Sequence, residues 1–208
     1  RCRREMHARI GDAPRCDGRR PMVRKYSTLN DAELFQVFRG TPEEKNEAFA
    51  ELYARHSQRV YVYCLRMSGN PDDANDLFQE AFTRFFHHNF SRAVVANILA
   101  YLLTSARNIH LNHRRTTSRW SPFEEDDMAG STPPYEREEL FNMVGSALDL
   151  LDEPYREAFI LRFYQGLSYK DIAGITGDTV ASLKLRVMRA KEQIRGILAP
   201  YIADVTKH

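Results

Sequence analysis

Gly166-Leu167-Ser168-Tyr169-Lys170-Asp171-Ile172-Ala173, followed by Gly174 to Asp178 and then Thr179 to Leu198, is the stretch whose spacing decides the fold. Ser168 with Asp171 three positions on makes a short capping box, so a helix starts here. Thr176-Gly177-Asp178 is turn chemistry, and Thr179 can cap the helix that follows. The result is a helix-turn-helix. In its second helix Val180, Leu183, Val187, Ala190, Ile194 and Ile197 form the expected buried stripe. At about 100° per residue, Ala181, Ser182, Leu185, Met188 and Arg189 then face outward, flanked by Lys184 and Arg186. Small and mildly apolar side chains between cations suit a helix that enters the major groove while its edges touch phosphates. An ordinary solvated cationic face is the other reading of the same residues.

Toward the N-terminus, helical periodicity runs from Glu138 through Leu140, Val144, Ala147, Leu148 and Leu151, pauses at Pro154, and continues to Gly166. Before it, residues 117–137 are rich in Thr, Ser and Pro and carry Glu124-Glu125-Asp126-Asp127. A structureless span of that length marks a domain boundary. Earlier still, Asn30-Asp31 precedes the stripe Leu34, Phe35, Phe38. Phe49 to Met67 recurs at threes and fours until Gly69-Asn70-Pro71. Ala74, Leu77, Phe78, Ala81, Phe82 and Phe85 make a third stripe, and about Asn97 to Arg115 a fourth helix. No strand alternation appears. The expected class is all-α: a basic leader at 1–25, expected to be disordered, a helical domain at 26–116, a flexible acidic linker at 117–137, and a helix-turn-helix domain at 138–208.

The composition of the 208 residues, 43% hydrophobic and 28% charged, fits folded domains with real cores. The longest apolar stretch, Ala93 to Leu103, contains Asn97 and is far short of the roughly 20 residues that cross a bilayer. No membrane insertion is expected. Cys2, Cys16 and Cys64 form no disulfide framework or zinc spacing, and the N-terminal arginines are followed by no secretory apolar segment. A cytoplasmic location follows. His87, His88, His110 and His113 lack a sensible ligand spacing, so neither metal nor cofactor is expected. No nucleophile, base pair or phosphate loop supports an enzyme.

Charge is segregated. Residues 1–25 hold nine Lys/Arg against three Asp/Glu. Ser91 to Phe123 has no acidic residue but carries Arg92, Arg107, Arg114, Arg115 and Arg119, whereas Asp72, Asp73, Asp76 and Glu80 sit in a stretch without Lys or Arg. One surface for an anion and another for a basic partner are the simplest reading.

Asp72-Asp73-Ala74-Asn75-Asp76-Leu77-Phe78-Gln79-Glu80-Ala81-Phe82 resembles the DAEDLVQEVF signature of sigma-70-type RNA polymerase sigma factors. Gly166 to Ala173 with Ser182 to Ala190 resembles the promoter-reading domain of the same proteins. The chain has no room for the extra domains of larger sigmas, which points to the extracytoplasmic-function group. The resemblance covers about residues 29–198. It implies a transcription initiation factor whose partners are core RNA polymerase, promoter DNA and an anti-sigma factor. Asp72, Asp73, Asp76, Gln79 and Glu80 would bind polymerase. Asn89, Phe90, Arg92, Tyr101, Arg107, Asn108, Arg114 and Arg115 would contact the minus-ten element, opened and held by the loop at about His87 to Ala96, with Phe90 as the stacking ring and Phe85 in the core. Ser182, Lys184, Leu185, Arg186 and Arg189 would read the minus-thirty-five element. Thr104, Thr176 and Leu185 depart from the family's usual residues, which bears on promoter sequence.

Two other classes compete. A stand-alone helix-turn-helix regulator would dimerise on paired half-sites and ignore polymerase. A sigma-mimicking protein would bind an anti-sigma factor and support no promoter-dependent transcription.

Overall fold

A computed structural model describes residues 26–88, 90, 97–117 and 136–205, with side chains described over 26–88, 90, 97–115 and 143–200. The leader 1–25, Asn89, Arg92 and the linker stretch 118–135 with Glu124 to Asp127 lie outside the described residues. Among the described residues all regular structure is helical.

Each early helix starts where a side chain satisfies free backbone N–H groups. Helix α1 (Asp31–Phe38) has a full capping box: Glu33 N donates to Asn30 Oδ1 at 3.0 Å, and Asn30 N to the Glu33 carboxylate at 2.7 Å. Helix α2 (Pro42–Ser68) has the same device from Thr41 and Glu44 and stops at Gly69, whose φ of +75° is the left-handed conformation that glycine adopts without strain. Asn70 Oδ1 accepts from Asp72 N and Asp73 N to start α3 (Pro71–His87). Ala100 N donates to Asn97 Oδ1 in the first turn of α4 (Ile98–Thr117).

Helix α2 packs against α1, α3 and α4. The core between them is strongly aromatic. Phe38 lies 5.0 Å from Phe85 and 6.2 Å from Phe90, and Phe90 lies 5.0 Å from Phe35 and 5.4 Å from Tyr101, centroid to centroid. Phe90, expected at the surface as a stacking ring, is therefore a core residue, 4% exposed. Edge-to-face contact with several rings outcompetes exposure of a side chain this large.

The second half comprises α5 (Glu136–Asp149), α6 (Glu153–Phe159), a π-helical turn (Ile160–Tyr164), α7 (Tyr169–Thr176) and α8 (Val180–Val205). Ala147, Leu148 and Leu151 pack with Ala190, Ile194 and Leu198 and hold α5 to α8. The helix-turn-helix forms as its spacing predicts: Asp171 N donates to Ser168 Oγ, the Asp171 carboxylate accepts from Ser168 N, and Gly177 at φ +80° makes the turn. Val180, expected in the buried stripe, is instead exposed, and burial begins at Leu183.

The two bundles are not merely tethered. The aromatic core continues without a break into Ala158, Ile160, Leu161, Leu167, Ile172, Ile175, Leu183 and Val187. Helix α7 packs on α4, and the π-helical turn on α2.

Replacing Ser168 with alanine removes the cap of α7, and a loss of about 1 kcal/mol is expected. Urea unfolding followed by circular dichroism checks it.

Candidate functional site

Helix α3 turns Ala74, Leu77, Ala81, Phe82 and Phe85 inward. That places Asp72, Asp73, Asp76 and Gln79 on its exposed face. Asp73 accepts from Asn70 Nδ2 at 3.1 Å. Glu80 is half-buried, paired with Arg84 one turn on and 3.7 Å from His113 Nε2. The anionic surface is thus densest at the N-terminal end of α3, where the helix dipole also favours carboxylates.

Helix α4 buries Ile98, Leu99, Leu102, Leu103, Ala106 and Ile109. Tyr101 and Arg107 are half-buried, whereas Asn108, Arg114 and Arg115 are exposed. Tyr101 packs against Phe85, Phe90 and His88. Beside this cluster lies a cavity of about 520 Å³ lined by Phe38, Arg39, Gly40, Lys45, His87, His88 and Phe90. Lys45 Nζ stands 4.6 Å from the Phe86 centroid and 5.1 Å from that of Phe38, a cation over aromatic faces. The sequence reading missed Arg39 and Lys45 because they come from the α1–α2 junction, far along the chain from the basic block.

On α8, Leu185 and Met188 are exposed at 43% and 56%, between Lys184 and Arg189, with Ser182 half-buried one turn earlier. Arg186 is held by Asp178, whose two oxygens accept from its two terminal nitrogens at 2.5 and 2.9 Å. Lys184 Nζ lies 6.0 Å from the Tyr169 ring, and Arg189 Nη1 donates to Tyr155 Oη at 3.4 Å. Arg186 therefore fixes the turn as much as it offers a charge to a ligand.

The seam between the bundles contains buried charge. Glu157 Oε1 accepts from Tyr63 Oη and from Arg107 Nε, each at 2.8 Å. The side chains of Arg107 and Glu157 are only 20% and 7% exposed. Removing one partner of so buried a pair costs about 3–5 kcal/mol, because the other is stranded. Burial, with the Glu157 charge beside it, pushes the Tyr63 phenol well above its usual range, so it remains a donor. Arg59 donates to Gln165 O, and Gln165 Nε2 donates back to Arg59 O at 2.9 Å. Arg114 pairs with Glu153, which also lies 3.4 Å from His110 Nε2. A cavity of about 800 Å³ follows this seam, lined in part by Asp73, His110, Arg114, Asp149, Glu153 and Arg156. Glu153 and Glu157 were not singled out in the sequence. A signal existed: Glu157 lies one helical turn before Leu161, on the core-facing side, and a carboxylate there needs a cation.

Comparison with known proteins agrees in both halves. Residues 52–120 match the family described as sigma-70 region 2, and residues 141–194 the family described as sigma-70, region 4. The chain is 34% identical over 144 residues to the ECF RNA polymerase sigma factor EcfG of Rhodopseudomonas palustris, covering 66% of this chain and 77% of that protein. It is 30% identical over 165 residues to the ECF RNA polymerase sigma factor SigE of Mycolicibacterium smegmatis, covering 76% of this chain but 64% of that protein, less than two thirds of its length. Among solved structures, the sigma factor RpoE in complex with the anti-sigma factor NepR from Bartonella quintana aligns with a TM-score of 0.62 at 24% identity, over 73% of this chain and 96% of that one. CnrH in complex with the cytosolic domain of CnrY aligns with a TM-score of 0.60 at 21% identity, over 82% and 99%. Both show a shared fold.

The seam also has a pH signature. Burial first, then the charges of Arg114 and Arg156, hold the His110 imidazole below its ordinary 6.5, against an opposing pull from Glu157. The unfolded chain thus takes up a proton near pH 6.5 that the folded chain refuses, so stability is full above that value and falls as pH drops below it. Buried His56, beside Arg55 and Arg59, shifts the same way despite Asp31. Urea midpoints measured from about pH 7.5 to 5.5 are expected to fall. His110→Gln should flatten part of that slope.

Proposed function

The chain belongs to the sigma-70 family of RNA polymerase sigma factors, within its extracytoplasmic-function group, and on that premise we propose how its surfaces divide the work of transcription initiation. The exposed face of α3, with Asp72, Asp73, Asp76 and Gln79, docks core RNA polymerase, and Glu80 completes the face while anchoring Arg84. Complementary charge there steers encounter and fixes orientation more than it adds affinity. In this reading residues 26–116 act as the polymerase and minus-ten unit, and residues 138–208 as the minus-thirty-five unit.

The α4 face contacts the minus-ten element: Arg107, Arg114 and Arg115 take phosphates, Asn108 and Tyr101 lie between them, and Asn89 and Arg92, outside the described residues, are proposed to share the same contact. The cavity beside Phe90 has the aromatic walls and cationic rim that suit an unstacked base. Phe90 forms its wall rather than projecting from it. On α8, Ser182, Leu185 and Arg189 face the minus-thirty-five groove, with Leu185 and Met188 against thymine methyls and Lys184 on phosphate. Arg186 acts partly through Asp178. The protein catalyses no step itself, works in the cytoplasm and is held in check by an anti-sigma factor, a reading supported by the solved RpoE neighbour, which is seen in complex with the anti-sigma factor NepR.

The observation that carries this reading is the succession, in one chain, of an anionic helix face on α3 and cationic faces on α4 and α8. Asp76→Lys with Gln79→Lys reverses one charge of the docking face and adds a positive charge at a second exposed position, and leaves the Glu80–Arg84 pair intact. Affinity for purified core polymerase is expected to fall at least about tenfold, near 1.4 kcal/mol, with an unchanged circular dichroism spectrum. Undiminished binding would exclude this face as the docking site.

A further inference from the structure

We propose that the cavity at the α1–α2 junction holds one nucleotide of the unpaired promoter strand, with its base on the His88 ring and its phosphate on the Lys45 ammonium. This deepens, and rests on, the reading of α4 as the minus-ten face.

Charge is the first argument. Arg39, Lys45, His87 and His88 line the cavity of about 520 Å³ together with Phe38 and Phe90, and no carboxylate is among its lining residues. The nearest acid along the chain is already engaged: Glu44 Oε2 accepts from Thr41 N at 2.9 Å as part of the α2 cap. A Cβ at position 40 would strike that carboxylate, so Gly40 is what allows Glu44 to fold back onto the cap. Among the described residues no carboxylate pairs with Lys45.

The placement of the ammonium is the second. Lys45 is half-buried, and its Nζ stands 4.6 Å from the Phe86 centroid and 5.1 Å from that of Phe38. Ring faces hold the charge in place, yet they supply no oxygen to its three N–H donors. A phosphate does, and lysine binds phosphate as a compact point charge.

The third argument is a stacking surface beside that charge. His88 is exposed, with its ring centroid 4.3 Å from Phe90 and 5.9 Å from Tyr101. Phe90 is too buried to stack on a base itself, so it backs the imidazole, and unstacked bases pack on histidine as on other aromatic side chains. Phe90 in turn lies 5.4 Å from Tyr101 of α4 and 6.2 Å from Phe38, the ring under Lys45. A line of rings therefore joins the α4 face to the ammonium, and rings interleaved with cations are how single-strand tracks are built. The cavity volume falls within the range of sites that enclose a small ligand.

The test uses the full chain at low salt and two fluorescent strands of about 12 nucleotides, one of oligothymidylate and one fully abasic with the same phosphates. Lys45→Gln is expected to weaken binding of both strands about threefold or more and to lower the salt slope by about 0.7, the share of one phosphate on a single strand. Lys45→Arg keeps the charge and should bind both within about twofold of the parent. His88→Ala is expected to weaken oligothymidylate at least about fivefold and to leave the abasic strand unaffected, because only a base can stack. Arg115→Gln, at an exposed α4 cation, probes the underlying reading and should weaken both strands. A loss in Arg115→Gln with none in Lys45→Gln or His88→Ala would overturn the pocket and leave the α4 reading standing. Losses in Lys45→Gln and His88→Ala with none in Arg115→Gln would overturn the α4 reading and keep the pocket as a separate nucleotide site. A Lys45→Gln loss confined to oligothymidylate would overturn the assignment of phosphate to the ammonium. A parent chain that binds neither strand would overturn both.

Discussion

One carboxylate, that of Glu157, is shared at 2.8 Å by a phenol from α2 and a guanidinium from α4. Buried as it is, it is stable only with both donors in place, because an unpaired charge at that depth is expensive. Its position sets much of the neighbouring geometry. Helix α6 must lie across α2 and α4, and the π-helical turn that follows returns Gln165 to the backbone of α2. Leu161, Leu167 and Ile172 then enter the core of the first bundle rather than forming one of their own.

The same contact organises the electrostatics. The acidic face of α3 is left exposed and partly self-compensated, with Glu80 on Arg84. The cations of α4 divide into Arg107 and Arg114, which meet carboxylates of α6, and exposed Arg115. On α8, Arg186 is tied to Asp178 whereas Leu185 and Met188 face solvent. A chain with a net charge of only +2 therefore presents distinct patches of opposite sign and keeps part of its positive charge matched internally. Segregated charge of this kind confers orientation on encounters with partners.

Much of the fold was legible in the sequence because it rests on local chemistry. Asn30, Asn70 and Ser168 announce helix starts, and Gly69 and Gly177 the stops, through hydrogen bonds and backbone freedom that span only a few residues. The acidic face of α3 and the outward face of α8 follow from helical periodicity in the same way. What was not legible depends on contacts across long sequence separations. The family resemblance implies a stacking role for Phe90 at the minus-ten loop, yet Phe35, Phe38 and Tyr101 enclose it. Val180 completes a regular stripe on paper, but the core it points toward begins one turn later. The π-helical turn has no local signature; it lies where the chain packs on α2. Arg107 and Arg114 were recognised as cations, but nothing near them in sequence reveals that Glu157 and Glu153 would meet them.

As proposed, a single chain reaches two promoter elements while bound to polymerase. The most direct test is a hydroxyl-radical footprint of core polymerase with the full chain on promoter DNA selected from a library. The account predicts protection at both the minus-ten and minus-thirty-five elements of the same molecule, absent with polymerase alone. A footprint unchanged by adding the chain, or confined to one element, would contradict it.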